Sequence, residues 1–245
     1  MLRFLLTPRW LGLLLAVLVV GGLCIQLGRW QFSRYGERQD SNGSLRANLA
    51  ASPVPVSEVL DESSAPTTDQ QWRVVEATGT YDLDHEMFVL YRTRDGQPGV
   101  DVVVPLVTAS GTALIVDRGW VQTEANGNAV PAAPSPPSGE VTVTGWARID
   151  AEGDSSNVAE STGTMRAISS LEIEQLLPYP VYDGFIDLTS EDPEVTPAPA
   201  KAEAPDIGSG PHFFYGLQWY FFAMLALSFW AYFAWSEWKA KTETR

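Results

Sequence analysis

The chain has 245 residues, 45% hydrophobic and only 19% charged, a balance that excludes both a disordered chain and a coiled coil. Its formal net charge is −14 with a pI near 4.5, so phosphates would repel it and nucleic-acid binding is excluded as a class. The charge is uneven: residues 40–211 carry 8 basic and 27 acidic side chains, a net of −19, whereas the two ends together are net positive.

Residues 10–28 run without a charged side chain and are bracketed by Trp10 and Trp30, which suit the two interfacial belts of a bilayer. At about 1.5 Å per residue this stretch spans roughly 30 Å, the thickness of a bilayer core. The apolar run is long for a signal peptide and no small-residue cleavage site follows it closely, so a retained anchor is expected. Its only cysteine, Cys24, leaves no partner for an intrachain disulfide and no Cys-based metal site. A second uncharged run, residues 213–236, is rich in aromatic side chains and long enough to cross with some tilt. Two spans put both ends on one side. Arg3 and Arg9 with Lys239, Lys241 and Arg245 favour a cytoplasmic side for them; Arg29, Arg34 and Arg38 oppose it, but long domains translocate largely regardless of charge. Nine residues before Trp10 leave no room for a mitochondrial transit peptide, so a bacterial plasma membrane is the expected home. The short tails leave no cytoplasmic output domain of the receptor-kinase kind.

The acidic middle reads mainly as strands. After a polar juxtamembrane segment and linker, residues 29–71, with one weak helical signal at 56–60, strands are expected at 72–78 and 87–91. Another follows at 100–108, where Pro105 points to an edge or a bulge. Residues 112–118 pair back on it across a short turn, 126–139 form a proline-rich loop, and 141–148 alternate as a half-buried strand. Ser169 with Glu172 forms a capping box opening a short helix at 171–177, and 182–188 make the last strand. Residues 191–211, rich in Pro, Ala and acid, read as a flexible linker. The expected architecture is therefore an α+β membrane protein. Its cytoplasmic tails are 1–9 and 237–245, its transmembrane helices 10–28 and 212–236, and between them lies a β-rich extracytoplasmic domain, 72–190, with one or two short helices.

Residues able to carry chemistry are few. Neither G-x-S-x-G nor H-E-x-x-H occurs, so a hydrolase would hang on His85, whose neighbours Asp82, Asp84 and Glu86 otherwise make a solvated acidic turn. Arg118-Gly119-Trp120 closes the most hydrophobic strand, either as an arginine paired with a carboxylate or as a docking surface. Ser209-Gly210-Pro211 marks a helix start, which places His212 in the first turn of the second span with Tyr215, Gly216 and Trp219 on its face. That imidazole could ligate a metal or haem iron, or hydrogen-bond headgroups or the domain.

Leu27-Gly28-Arg29-Trp30-Gln31-Phe32-Ser33-Arg34 resembles the L-G-x-W-Q-x-x-R signature of the surfeit locus protein 1 family, assembly factors of haem-copper cytochrome c oxidase. The order continues through Arg73 with Gly79-Thr80-Tyr81, Tyr91-Arg92, Gly99 to Pro105-Leu106, and Val116-Asp117-Arg118-Gly119-Trp120-Val121, where the family usually has V-N-R-G-W-V. The strand at 141–145 matches the next one in the family, and His212 to Trp219 is similar to its H-x-x-Y-x-x-Q-W motif. The resemblance implies a non-enzymatic role in maturing oxidase subunit I and its assembly intermediates, with haem a synthase as a further partner. It also implies transient handling of haem a, with His212 as axial ligand and Tyr215 and Trp219 beside it. Trp30, Gln31, Arg34, Arg118, Gly119 and Trp120 are the implied docking residues. A stable accessory subunit without haem is the alternative, and a membrane-anchored hydrolase at His85 a lesser one.

Overall fold

The computed structural model describes residues 3–124, 130–153, 157–159 and 161–243. Arg245 and residues 126–129 of the expected loop lie outside them; residues 130–139 are described and form neither helix nor strand. The chain divides into two compact units, Met1–Gly43 with Ile207–Arg245, and Ser44–Asp206.

The first unit is helical. Helix α1, Pro8–Ala50, opens with proline at its first position, where the missing N–H is no loss. Its 43 residues extend about 64 Å, twice a bilayer core. The helix thus continues well beyond the apolar stretch into what reads as a polar linker. Nothing in residues 29–50 breaks it: Arg34 pairs with Glu37 at 2.7 Å, and the next proline is Pro53, beyond its end. The terminal helix α3, His212–Glu243, begins at the predicted start, with the Tyr215 N–H donating to the Pro211 carbonyl at 3.1 Å. The two helices touch along their length. Trp10 meets Trp230 edge-on at 6.1 Å, and the Gly28 backbone approaches the Tyr220 ring so closely that a Cβ would lie 3.0 Å from it. Their outer faces expose side chains such as Leu15, Phe214 and Phe229. Only 17% and 6% of the two apolar windows are buried, whereas the core helix of a soluble protein would be mostly covered. Both helices are long and apolar enough to cross a membrane, and they fit a membrane protein with two spans.

The second unit is a β-sheet that closes on itself. Its elements are β1, Val54–Pro55; β2, Val74–Tyr81; β3, Met87–Arg94; β4, Gln97–Thr108; and β5, Ala113–Gln122. Next come β6, Glu140–Arg148; β7, Thr164–Met165; the short helix α2, Ser170–Glu174; and β8, Val181–Asp192. The sheet order is β1-β2-β6-β8-β5-β4-β3-β7, and an added β2–β4 pairing joins β2, β6, β8, β5 and β4 into a ring. Every strand of the ring sends alternate residues inward: Val75 and Ala77, Val141 and Val143, Ile186 and Leu188, Leu114 and Val116, Val100 to Leu106. The opposite face of β3, β4, β5 and β8 builds a second cluster from Val89, Val103, Ile115 and Phe185, covered by Met165, Ile168 and Ile173. The architecture is α+β, a β-rich unit flanked in sequence by two apolar helices.

Three local features are set by their surroundings. Pro105 sits inside β4 and not at an edge, because on its far side β3 has ended at Val103 and β2 begins only at Leu106. Its carbonyl accepts from the Asp82 N–H at 2.9 Å, and its missing N–H falls in that gap. Ser169 caps α2 by accepting from Glu172 N–H, and Asp150 completes the cap by accepting from the Ser169 and Ser170 hydroxyls and Leu171 N–H. The stretch expected to be a free tether is held: β8 runs to Asp192, Ala200 pairs with Trp120, and Arg94 binds Glu203 at 3.0 Å.

Candidate functional site

Within the helical unit the structure brings together two of the residues singled out from sequence. His212 Nδ1 lies 2.8 Å from the Gln31 side-chain oxygen. The contact exists because the helices come close here: a Cβ on Gly216 would fall 2.9 Å from the Phe32 ring, so a larger residue would make that ring shift. Phe32 packs against Phe213 at 5.8 Å and Tyr220 at 5.9 Å. One polar stripe of α1 also ties down the chain that leads into α3. Arg38 Nε donates to the Gly208 carbonyl at 2.8 Å, and the buried Asn42 amide donates to the carbonyls of Ile207 and Gly208. Arg38 and Asn42 were not singled out from sequence. The signal that finds them is helical spacing continued past the apolar run, since Gln31, Arg38 and Asn42 recur at intervals that keep one face. Tyr215, 49% exposed, and the half-buried Trp219 share the His212 face by spacing alone; no hydrogen bond or ring contact joins either to the histidine. Trp30 is 50% exposed, with the Arg34 guanidinium 6.0 Å from its ring.

Arg118-Gly119-Trp120 lies in the β unit and is a structural device. Val103 pairs with Asp117 and Val102 with Gly119, so Arg118 is the extra residue of a β-bulge that turns it into the barrel. There the guanidinium is fully buried, donates to Glu191 at 3.3 Å and to the Pro134 carbonyl at 2.8 Å, and lies 5.5 Å from the Tyr81 ring. Burial pushes the Tyr81 hydroxyl's pKa up, and Glu191 adds to the shift. Gly119 has φ +122 and backs onto the Ala200 carbonyl, which a Cβ would meet at 2.3 Å. Arg118 and Gly119 are therefore not surface anchors; the reading of an arginine paired with a carboxylate is the one the geometry carries. Trp120 remains partly exposed.

On the outer side of the same strands is a cleft of about 640 Å³ with Asp101, Asp117 and Asp187 in its lining. Arg92 pairs with Asp101 at 2.5 Å, and Arg148 pairs with Asp187 while stacking 3.9 Å from the Trp72 ring. Asp117, 6% exposed, accepts only the Gly119 N–H at 2.9 Å. Burial, then the two neighbouring carboxylates, holds its pKa well above the usual range. Burial raises Asp101 and Asp187 also, against their arginines. Sequence reading did not single out this trio, whose members lie far apart in the chain and meet only through the β4–β5–β8 register.

His85 is explained by its turn. Its Nδ1 lies 2.8 Å from Asp82 Oδ2, which also accepts from the Tyr179 hydroxyl at 2.5 Å, while Asp82 Oδ1 accepts the Asp84 N–H at 3.1 Å. Burial alone would raise Asp82, but the Tyr179 hydrogen bond and the His85 ring outweigh it and hold the carboxyl below the usual range. Asp84 is exposed, and among the described residues no hydroxyl or thiol nucleophile bonds to the His85 ring. Among the described residues no three His, Cys, Asp or Glu side chains group closely enough to hold a metal ion, so His212 offers a single donor.

The SURF1 family model matches residues 18–224. The chain belongs to the SURF1 family. It is 31% identical over 245 residues to a SURF1-like protein of Mycobacterium tuberculosis, spanning 98% of this chain and 89% of that one. A SURF1-like protein of Rickettsia felis is 32% identical over 109 residues, 43% of this chain and 45% of its own. The cytochrome oxidase assembly protein SHY1 of Saccharomyces cerevisiae is 28% identical over 117 residues, 46% of this chain and 28% of its own.

Proposed function

We propose that this SURF1-family protein acts in cytochrome oxidase assembly, the role printed in the name of its yeast relative. The family match, unbroken from the first apolar helix to the second, is the observation that carries the reading. The protein sits in a bacterial plasma membrane with both ends cytoplasmic and the β unit extracytoplasmic. It binds subunit I during maturation without turnover chemistry of its own, and haem a synthase is a neighbouring partner. Trp30 and Arg34, exposed on α1, and the open edge of Trp120 are its docking residues.

The finer part of the proposal is that His212 handles haem a. The residues fit such a role in a limited way. The ring is half-buried at a helix start, and its Nδ1 is engaged by Gln31, which leaves Nε2 as the nitrogen that would hold the iron. Haem a, when bound, supplies the iron centre that the oxidase needs; the chain's share is one nitrogen and the aromatic walls of Tyr215 and Trp219. Deleting the gene is expected to lower haem a absorbance in membranes while other cytochromes persist, and an unchanged oxidase content would end the assembly reading. Visible spectra of detergent-purified wild type and His212→Ala, made with haem a synthesis, test the ligand. A band lost in the variant supports it, and no band in either removes haem from the proposal. Stoichiometric retention of the chain in purified oxidase would favour a permanent subunit.

A further inference from the structure

We propose that Gln31 is the positioning residue for His212, fixing the imidazole as the tautomer protonated at Nδ1 and keeping Nε2 free as a base. The inference rests on reading His212 as a metal ligand, but the tautomer is a property of the apoprotein and is measured without haem.

The geometry is specific. With the Gln31 carbonyl oxygen facing the ring at 2.8 Å, an atom that only accepts, the arrangement selects the neutral ring protonated at Nδ1, and the lone pair then resides on Nε2. Metal-binding histidines generally have their second ring nitrogen held this way by a carbonyl or carboxylate, which fixes tautomer and ring plane together. Both ends of the bond are themselves held. On one side Gly28 against Tyr220 and Gly216 against Phe32 set how closely α1 and α3 approach, and any larger residue at either would drive a Cβ to about 3 Å from a ring. On the other side Arg38 and Asn42 clamp the carbonyls of Ile207 and Gly208, so the chain enters α3 at a set position. Arg38 and Asn42 on this stripe bind backbone carbonyls and so hold chain. Gln31 reaches the imidazole of His212, a side chain with acid–base and ligand chemistry, and helix packing alone would not need a polar group there.

The chain's chemistry makes the test direct, because its histidines are two, His85 and His212. Full-length protein labelled with ¹⁵N at the imidazoles, in detergent at mildly alkaline pH, gives two ring spectra, assigned with a His85→Gln variant. His85, bonded to Asp82 through its own Nδ1, serves as a control that Gln31 variants leave alone. Wild-type His212 is expected to show the Nδ1–H tautomer. Gln31→Leu is expected to lower the ratio of Nδ1–H to Nε2–H forms about five- to tenfold, the effect of losing one net hydrogen bond. Gln31→Glu, which keeps an acceptor, is expected to retain the wild-type tautomer. An Nε2–H tautomer in the wild type overturns the proposal by itself, even if Gln31→Leu fails to fold, and so does an unchanged ratio in a folded Gln31→Leu. The haem spectrum is read separately. An Nδ1–H wild type that never takes up haem a ends the ligand reading while the Gln31 bond stands, whereas a haem a band with an Nε2–H ring ends this inference alone.

Discussion

Replacing Arg118 by methionine tests whether this residue is architecture or contact surface. The substitution keeps most of the volume but removes a guanidinium with no solvent exposure. It leaves Glu191, whose side chain is 2% exposed, with only the Tyr81 hydroxyl at 3.1 Å and Lys201 at 3.8 Å. Breaking one side of a buried ion pair costs about 3–5 kcal/mol, because the remaining charge is stranded away from water. For a domain of about 150–250 residues each kcal/mol moves Tm by about 2–4 °C, so the β-sheet signal of the full chain in detergent should melt roughly 6–20 °C lower. Arg118→Met with Glu191→Leu removes both charges and should recover most of that loss, since an apolar pair of similar volume is close to neutral. A single variant within about 0.5 kcal/mol of wild type, the ordinary range for a surface change, would refute the buried-pair account. Loss of oxidase assembly at unchanged stability would restore Arg118 as a docking residue.

Asp117→Asn keeps the acceptor for the Gly119 N–H and removes the buried carboxyl that lacks a cation. Because the folded-state pKa is raised, this group's contribution is fully present below the carboxylate's ordinary value and is lost as pH rises through the folded value. Wild type should therefore lose stability between acid and neutral pH, and the variant should be more stable at pH 8 by about 1–3 kcal/mol, the cost of an unmet buried polar group. Urea unfolding at pH 5 and pH 8 measures both, and an equal difference at the two pH values would count against it. Gly119→Ala puts a Cβ against the Ala200 carbonyl at a backbone angle that L-residues rarely adopt. It should free the segment after β8, seen as faster protease cleavage within residues 193–206; wild-type cleavage rates would show that the strap tolerates displacement.

The parts legible in sequence are those specified by local pattern. The alternation in β6, the cap at Ser169 and the start of α3 at His212 each depend on a few neighbouring residues, and the structure has them in place. The continuation of α1 to Ala50 was hidden because helix formation needs only permissive residues, whereas polar composition reads as linker. Pro105 misleads for the opposite reason: its local rule is right, but a central strand can have a gap on one side, visible only once β2 and β3 are both placed. The segment after β8 looks free because its prolines and acids suit a tether, while its hold on the barrel depends on Trp120, Arg94 and Glu191, all brought in by tertiary structure. Of the site residues, Gln31 and His212 were each marked by motif, but their bond depends on how two helices far apart in sequence pack.

The motif residues thus divide by what surrounds them. Those of the β unit are used by the fold: Arg118 fills the barrel's interior row after Leu114 and Val116, Gly119 admits the strap, and Asp117 accepts the bulge's own N–H. Mutating any of them alters stability first, so a lost phenotype there says little about what the protein touches. The helical motif is different. Gln31 and His212 are half-buried and Tyr215 is exposed, and none is needed to fill a core. A histidine whose Nδ1 is bonded and whose ring is only half-covered keeps chemistry in reserve that packing does not consume. Function is therefore best sought at the start of α3, where a substitution can remove a donor atom while leaving the barrel, and the stability it dictates, as it was.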